Sequence, residues 1–348
     1  MNNKVGIISL FGMYNFGNRL QGYALDYILK ELSFNPETIV LYRKLGVSVS
    51  AAWVRSKLEI MSGNVKAAVR NKRFKEFTSG QVITYVWFPW EIAKLKKRYD
   101  FFCVGSDQVW NPKADLFPGT KLLQFADPSQ RVAVAPSIGV SELPRTCCDE
   151  YARELKQYKA LSVRENEGAS IVEGLTGIKP EVLVDPTLAL TKEQWADCAD
   201  FSKVPDTPFI LVYFLGGWSL DINDYLELTS DYESIPVVDL LDVDSSFYCC
   251  GPQDFLGLVI KASVVLTDSF HASVFSTIFG TPFRVFERRE GQSTYSRIRT
   301  LLDNYHLLNV EGYGPIPSVT KEGRGITESL LNKYRSMFID YVRESLNA

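Results

Sequence analysis

Short apolar segments alternate with stretches of helical periodicity along most of the chain. The first apolar run, residues 5–10, is followed by residues 18–32, whose apolar side chains fall on one face of a helix. Further apolar runs predict strands at 101–104, 131–135, 161–163, 182–184, 209–214, 236–239, 263–266 and 283–286. This alternation is typical of an α/β fold with parallel sheets.

The chain length of 348 residues indicates two domains. A polar stretch with several prolines between residues 185 and 208 marks the expected boundary. We therefore predict an N-terminal domain over residues 1–190 and a C-terminal domain over residues 205–320. An apolar stripe in residues 328–346 predicts a last helix, and residues 326–348 are a candidate to complete the N-terminal domain.

Composition and charge exclude several classes of protein. A net charge of −3 gives no general attraction to nucleic acid, and no stretch approaches the length of an apolar membrane span. Two histidines, and six cysteines without a C-x-x-C spacing, argue against a structural metal site. We expect a reduced, cytoplasmic protein that needs neither a metal nor a cofactor.

Residues 53–77 combine an apolar stripe with a high density of lysine and arginine. Glu59 is the only acidic residue between Arg55 and Lys75. Such a segment is explained by a surface helix packed on its domain. It is also explained by a basic face that makes peripheral contact with anionic lipid at the inner face of the cell membrane. Both interpretations stay open at the level of the sequence.

Four polar segments follow predicted strands, at the edge of the sheet where open α/β folds bind ligands. They are NFGNRLQ (15–21), GSDQVWNP (105–112), SVRE (162–165) and TDSFHASVF (267–275). Each has an ordinary structural explanation when taken alone. Asp268 fits a helix N-cap, and Asp107 fits an Asx turn.

As a set, and in this order, these segments resemble the polysaccharide pyruvyl transferase family. The resemblance extends to APSIG (135–139), VDPT (184–187), YFLG (213–216), GPQDFL (251–256) and SRI (296–298). One departure is Ala272, where many relatives have glycine. Its methyl group narrows the space beside the helix N-terminus, but the backbone amide remains a donor.

The resemblance implies a glycosyltransferase-B-like fold, in which two Rossmann-like domains face each other across a cleft. It implies phosphoenolpyruvate as a co-substrate and a sugar diol as acceptor, on a galactose or a mannosamine-type residue, with galactose 4,6-diol as the expected pair of hydroxyls. The product would be a cyclic ketal in a capsular or exopolysaccharide precursor, carried on a lipid-linked oligosaccharide, and phosphate would be released.

The predicted site residues divide between the two substrates. His271 is the candidate general acid, and Asp107 is the candidate acceptor of a hydroxyl proton. The residues expected to bind phosphoenolpyruvate are Arg164, Ser269, His271, Arg288 and Arg297. The residues expected to bind the acceptor are Asn18, Arg19, Gln21, Ser106, Gln108 and Ser137. The second histidine, His306, falls at a predicted helix end and is given no chemical role.

Two other functions remain compatible with the sequence. A glycosyltransferase that uses a nucleotide-sugar would share the architecture, and a non-catalytic protein that binds an anionic sugar would share the cluster of arginines. A dinucleotide-dependent oxidoreductase is disfavoured, because the first predicted strand is not followed by G-x-G-x-x-G.

Overall fold

The computed structural model describes residues 3–12, 14–41, 65–114, 119–218, 235–289, 295–317 and 320–347. They form two compact units. Unit 1 contains the described residues before position 42, then Thr78–Ala189 and the residues from Tyr334 onward. Unit 2 contains Val65–Phe77 and the described residues of Leu190–Lys333. The division between the units at Ala189 falls within the proline-containing stretch.

In chain order, the elements up to the division are β1 Lys4–Ile8, α1 Phe16–Glu31, β2 Asn35–Leu41, α2 Val65–Phe77, β3 Ile83–Val86, α3 Pro89–Leu95, β4 Phe101–Gly105, β5 Arg131–Val134, α4 Arg145–Leu155, β6 Ser162–Val163, α5 Asn166–Thr176, β7 Glu181–Val182 and α6 Pro186–Ala189. They are followed by α7 Lys192–Asp197, β8 Ile210–Tyr213, β9 Val237–Asp239, α8 Pro252–Lys261, β10 Val264–Thr267, α9 Phe270–Phe279, β11 Phe283–Val285, α10 Tyr295–Asn304 and α11 Lys321–Asn347. Short 3₁₀ turns lie at Pro128–Gln130, Ser246–Cys249 and Leu308–Val310.

Unit 1 is built on a five-stranded parallel sheet with the order β3-β2-β1-β4-β5. The small parallel pair β6-β7 forms a second sheet. Apolar side chains from β1, β4 and β5, among them Ile8, Val104 and Ala133, are fully buried. The strand order changes direction between β1 and β4, and the loops that follow these two strands therefore line a crevice at the carboxyl edge of the sheet.

Unit 2 is built on a four-stranded parallel sheet with the order β11-β10-β8-β9. Its core includes the buried side chains of Val212 on β8 and Leu266 on β10. The strand order changes direction between β8 and β10. This switch creates a second crevice, which belongs to unit 2 alone, at the carboxyl ends of those two strands.

The long helix α11 contributes to both units. Near its start, Arg324 donates hydrogen bonds to the backbone oxygens of Thr277 (2.8 Å) and Ile278 (2.6 Å) in unit 2. From Tyr334 onward the helix belongs to unit 1, where the Tyr341 hydroxyl donates to the backbone oxygen of Ala133 (2.8 Å). Residues 334–347 thus belong to the N-terminal unit, whereas the start of the predicted 326–348 segment belongs to unit 2.

The fold class predicted from the alternating pattern is confirmed, since both units are α/β with parallel sheets. Strands β2 and β3 were not predicted. The prediction also counted residues 53–77 with the N-terminal domain, and the structure places α2 in unit 2. The remainder of that segment, residues 53–64, lies outside the described residues.

Helix α2 uses its basic side chains within unit 2. Arg70 is only 2% exposed and donates to the backbone oxygens of Leu240 (3.3 Å) and Tyr248 (3.0 Å). Arg73 is hydrogen-bonded to the buried carboxylate of Asp254. These contacts support the interpretation of α2 as a packed helix, because its central arginines point into protein and not toward lipid. In the part of the chain that the structure describes, no helix is both long and apolar enough to cross a membrane.

Candidate functional site

The loops after β1 and β4 are joined at the switch point of unit 1. The Asn18 amide nitrogen donates to Oδ2 of Asp107, and Asn18 Oδ1 accepts from the backbone amide of Gly12 (3.1 Å). A Cβ at Gly12 would lie 2.3 Å from Asn18 Oδ1, so a larger residue there would displace the Asn18 side chain from this position. Asp107 adopts a positive φ of 62°, and its Oδ1 accepts from the Gln108 amide (2.9 Å). Gln108 Oε1 in turn accepts from the side-chain amide of Asn111 (2.9 Å).

Arg164 lies beneath this pair, at 2% side-chain exposure, and contacts two carboxylates of its own unit. Its NH1 donates to Asp185 Oδ2 (2.5 Å) and to Ser106 Oγ (3.2 Å), and its NH2 lies 3.5 Å from Asp107 Oδ1. Ser106 Oγ also donates to Asp185 (2.5 Å). Burial opposes the charge of Arg164, but the carboxylates of Asp185, Asp107 and Glu165 hold its pKa above the ordinary value.

This network changes the interpretation of Arg164. The sequence predicted a direct clamp for the phosphoenolpyruvate anion. In the structure the guanidinium is enclosed by Asp185 and Asp107, and a ligand carboxylate would have to displace one of them. The arrangement therefore favours a positioning role, in which Arg164 holds the side chain of Asp107 in place at the end of β4.

Arg19 and Gln21, on the first turns of α1, also make local contacts. The Nε of Arg19 donates to the backbone oxygen of Gly12 (3.1 Å), and its guanidinium lies 3.4 Å from the centroid of the Phe11 ring. Gln21 Nε2 donates to Ser9 Oγ (2.8 Å). These contacts tie the loop between β1 and α1 to the first turns of α1, where the predicted acceptor-binding residues Asn18, Arg19 and Gln21 lie.

Glu165 organises the loop after β5 and was not among the predicted site residues. Its Oε1 accepts from Ser137 Oγ (3.0 Å) and from the backbone amides of Ile138 (2.8 Å) and Gly139 (3.2 Å). The Ser137 amide donates to the backbone oxygen of Asp107 (2.7 Å), which ties this loop to the loop after β4. The sequence shows Glu165 next to Arg164 in the SVRE segment. That position alone does not reveal that the Glu165 carboxylate accepts three hydrogen bonds from a loop distant in the sequence.

The switch point of unit 2 is held by Asp268, which follows β10. Its fully buried carboxylate accepts from the backbone amides of Leu215 (2.6 Å) and Gly216 (2.7 Å), in the loop after β8. The Nε of Arg288 lies 3.4 Å from Asp268 Oδ2. Asp268 therefore joins the two loops and orients Arg288, and it is not the N-cap of the following helix.

Helix α9 begins beside this carboxylate. Ser269 is its N-cap, and the Ser269 hydroxyl accepts from the amide of Ala272 (3.4 Å), so the alanine that replaces the expected glycine still supplies a donor. His271 lies in the first turn at 7% exposure. The ring of Phe270 meets that of His271 edge-on at 5.1 Å, and the guanidinium of Arg297 lies 5.5 Å from the Phe270 centroid.

Unit 2 thus places one histidine, two arginines and a capped helix N-terminus around its switch point. The positive end of a helix and the guanidinium groups attract anions, and the imidazole adds a group that can carry a proton. Unit 1 offers a different surface, in which carboxylate, amide and hydroxyl groups converge at the end of β4. The first arrangement suits a phosphorylated acid, and the second suits the hydroxyls of a sugar.

A comparison with protein families decides the family of this chain. A model of the polysaccharide pyruvyl transferase family matches residues 15–290. The chain belongs to the polysaccharide pyruvyl transferase family. The matched region contains all of the predicted site residues except Arg297, which follows it. The resemblance predicted from the motifs is therefore confirmed at the level of the family.

Solved structures with low sequence identity also align with most of this pyruvyl transferase family member. Arabidopsis thaliana UGT89C1 complexed with UDP-L-rhamnose has a TM-score of 0.48 at 10% identity and covers 99% of this chain and 97% of its own. A protein described as a UDP-N-acetylglucosamine 2-epimerase from Listeria monocytogenes has a TM-score of 0.46 at 11% identity, with coverages of 93% and 90%. S. aureus MnaA bound to UDP has a TM-score of 0.46 at 10% identity, with coverages of 98% and 91%. No curated protein matches the sequence.

Proposed function

We propose that this family member is a phosphoenolpyruvate-dependent ketal pyruvyltransferase. Its acceptor is a pair of hydroxyls on one sugar, with galactose 4,6-diol as the first choice, in a lipid-linked precursor of a capsular polysaccharide or exopolysaccharide. Membership of the pyruvyl transferase family supports the reaction class. The observation that supports phosphoenolpyruvate as the donor is the grouping of Ser269, His271 and Arg288 at the switch point of unit 2.

The reaction needs one proton delivered to carbon and two removed from oxygen. Protonation of the methylene carbon of phosphoenolpyruvate makes the central carbon cationic, and one sugar hydroxyl adds to it with loss of its proton. The bond between that carbon and the phosphate oxygen then breaks, and phosphate leaves with the bonding electron pair. The second hydroxyl adds to the resulting oxocarbenium ion and loses its proton, which closes the ketal.

On the donor side, the α9 N-terminus, Arg288 and Arg297 would hold the carboxylate and phosphate groups. His271 would supply the proton to the methylene carbon. The N-terminus of α9 and the two guanidinium groups would attract the anionic donor to the side chain that carries the proton.

On the acceptor side, Asp107 would accept a hydroxyl proton. Its Oδ2 is oriented by Asn18 and its Oδ1 by Arg164, so the carboxylate is held in one orientation. Arg19, Gln21 and Gln108 would supply the surrounding polar contacts, whereas Ser106 and Ser137, which are fully buried, would act by holding the loops in place. The backbone amides of Gln108 and Ser137 already donate to Asp107, so we expect this part of unit 1 to be preorganised for the sugar ring.

The test is phosphate release from phosphoenolpyruvate in the presence of a galactosyl acceptor, for wild type and for His271→Gln. We expect the rate to fall by about a hundredfold or more, the usual effect of losing a general acid. His306→Asn is the matched control: it removes the other histidine, at a residue with a φ of 55°, a conformation that asparagine tolerates. The control should retain wild-type activity.

Two outcomes would contradict the proposal at different levels. Acceptor-dependent release that survives His271→Gln would keep the reaction and remove His271 as the acid. If no acceptor supports release, and a nucleotide-sugar but not phosphoenolpyruvate raises the melting temperature, the chain uses a different donor and the proposed reaction is wrong.

A further inference from the structure

An exposed aromatic cluster lies in unit 1 on the segment from β3 into α3. It consists of Tyr85, Trp87, Phe88 and Trp90, and Trp90 is 61% exposed. The rings of Phe88 and Trp90 stack with centroids 4.4 Å apart, and those of Tyr85 and Trp87 are 6.3 Å apart. Large aromatic side chains are usually buried, so four exposed rings next to one another indicate a surface that contacts a partner.

Hydrogen bonds and core packing within unit 1 hold the backbone of this segment in place. Glu91 Oε2 accepts from the backbone amides of Trp87 (2.9 Å) and Phe88 (2.8 Å), which fixes the turn into α3. Ile92 and Leu95 of the same helix are buried in the core of the unit. The aromatic rings are therefore presented from an anchored backbone, and their exposure does not come from an unanchored segment.

Basic residues continue the aromatic surface along α3 and just beyond it. Trp90 and Lys94 are four positions apart on α3, which places them on one side of the helix, opposite Ile92 and Leu95, and Lys97 is exposed in the turn that follows the helix. Two further basic residues in this run have acidic partners: Lys96 pairs with Asp127 (2.6 Å), and Arg98 lies 3.6 Å from Glu37. Lys94 and Lys97 accordingly form the cationic part of the exposed face.

We propose that this face, defined by Tyr85, Trp87, Phe88, Trp90, Lys94 and Lys97, docks on the surface of an anionic lipid bilayer. Tryptophan and tyrosine favour the boundary between headgroups and acyl chains, and adjacent lysines add attraction to anionic headgroups. The chain as a whole has a net charge of −3, so the attraction is local to this face. It differs from the basic segment 53–77, in which Arg70 and Arg73 of α2 contact other residues of unit 2.

The position of the face gives this docking a consequence for the site in unit 1. The face begins at Tyr85 near the carboxyl end of β3 and continues beyond it, and Asn18 and Asp107 follow the carboxyl ends of β1 and β4 in the same parallel sheet. Strands β3 and β1 are separated by one strand, or about 10 Å. A sugar attached to a membrane lipid would therefore meet the acceptor loops close to the bilayer surface. This consequence rests on the proposed function, whereas the binding of lipid does not.

Vesicle flotation tests the docking without any substrate. Wild-type protein is mixed with vesicles of phosphatidylglycerol and phosphatidylcholine in equal parts, and in parallel with vesicles of phosphatidylcholine alone. We expect flotation with the anionic vesicles, much weaker flotation with the neutral ones, and loss of binding as salt is raised. Equal binding to both kinds of vesicle, or binding to neither, would overturn the proposal.

Variants separate this face from other surfaces. Lys94→Gln with Lys97→Gln should weaken anionic-vesicle binding about twenty-five-fold, because each lysine near such a surface contributes about a fivefold gain in affinity. Trp90→Ala should weaken it about tenfold. The matched controls are Lys72→Gln on α2 and Phe201→Ala, an exposed aromatic in unit 2, and both should bind as wild type does.

Circular dichroism and the melting temperature establish that each variant is folded. If the lysine and tryptophan variants bind vesicles as well as wild type does, or if Lys72→Gln abolishes binding, the docking face has been assigned wrongly. A Trp90→Ala variant that keeps vesicle binding but raises the KM for a long acceptor oligosaccharide would show a sugar-stacking surface in place of a lipid-binding one. The vesicle-binding outcomes do not depend on phosphate release, so a failure of the docking proposal is distinguishable from a failure of the proposed reaction.

Discussion

Replacing Arg164 with alanine separates a positioning role from direct donor binding. The substitution removes the cation that contacts Asp185 and Asp107, and the side chain of Asp185 is fully buried. Breaking a buried ion pair by removing one partner costs about 3–5 kcal/mol, because the other charge is left without compensation. For a unit of this size, such a loss lowers the melting temperature by about 6–20 °C.

Urea unfolding followed by fluorescence measures the loss, and the initial rate as a function of phosphoenolpyruvate concentration measures the KM of the folded variant. Arg343→Ala is the control, because Arg343 forms an exposed pair with Asp340 (2.6 Å). Exposed pairs contribute about 0–1 kcal/mol, so the control should unfold close to wild type. Arg164→Met combined with Asp185→Asn should recover part of the stability, since no unpaired charge is left at position 185.

The reasoning would be refuted by an Arg164→Ala protein that unfolds within about 1 kcal/mol of wild type and shows a much higher KM for phosphoenolpyruvate. Such a result would mean that the fold tolerates the two carboxylates without the guanidinium, and that Arg164 contacts phosphoenolpyruvate when this donor binds. The expected result is the opposite: a large loss of stability, and a fall in kcat through the misplaced Asp107 carboxylate.

Two further substitutions test other parts of the fold. Burial alone would raise the pKa of Glu37, but Lys4 and neighbouring hydroxyl groups hold it below the ordinary value of 4.5. The ionised carboxylate therefore stabilises the fold above about pH 4.5, and this stabilisation is lost as the pH falls through the lowered pKa. Glu37→Gln should consequently flatten the acid side of a plot of melting temperature against pH. An unchanged slope would contradict this. Gly257→Ala should destabilise by about 1–3 kcal/mol in urea unfolding, because the new Cβ would lie 2.3 Å from the Asp200 backbone oxygen. Gly174→Ala, on α5 with nothing within 4 Å of the new methyl, should instead leave stability unchanged or raise it by up to about 1 kcal/mol, and equal effects at the two positions would contradict the argument.

The periodicity of the sequence was sufficient for the elements that lie next to the site. Strands β1, β4, β8 and β10 are apolar runs followed by polar loops, and parallel strands bring such loops to one edge of a sheet. Strand β2 was missed because it begins with Asn35, Pro36 and Glu37, residues that are rare in strands. Its apolar half is too short to stand out from the helix before it.

The partners of the charged residues could not be predicted, because they depend on tertiary contacts. Arg70 and Arg73 fit a solvated basic helix when only their spacing is known, yet both point into unit 2. The contact of Arg164 with Asp185 joins residues 21 positions apart, at the ends of two separate short strands. The sequence motifs identified these residues as a group. The interatomic distances were needed to distinguish a residue that could bind substrate directly from one that positions a neighbouring side chain.

Unit 1 is built from segments near both ends of the sequence, and this affects the order in which the two units fold during synthesis. The Tyr341 hydroxyl bonds to the backbone of Ala133, 208 residues earlier, and Phe338 and Val342 are buried in the same unit. Domains usually fold in sequence from the N-terminus. The first unit of this chain instead stays incomplete until almost all of the second has been made. The apolar surface that Phe338 and Val342 contact in the finished protein is exposed in the meantime, which makes a nascent chain halted before Phe338 a substrate for chaperones and proteases.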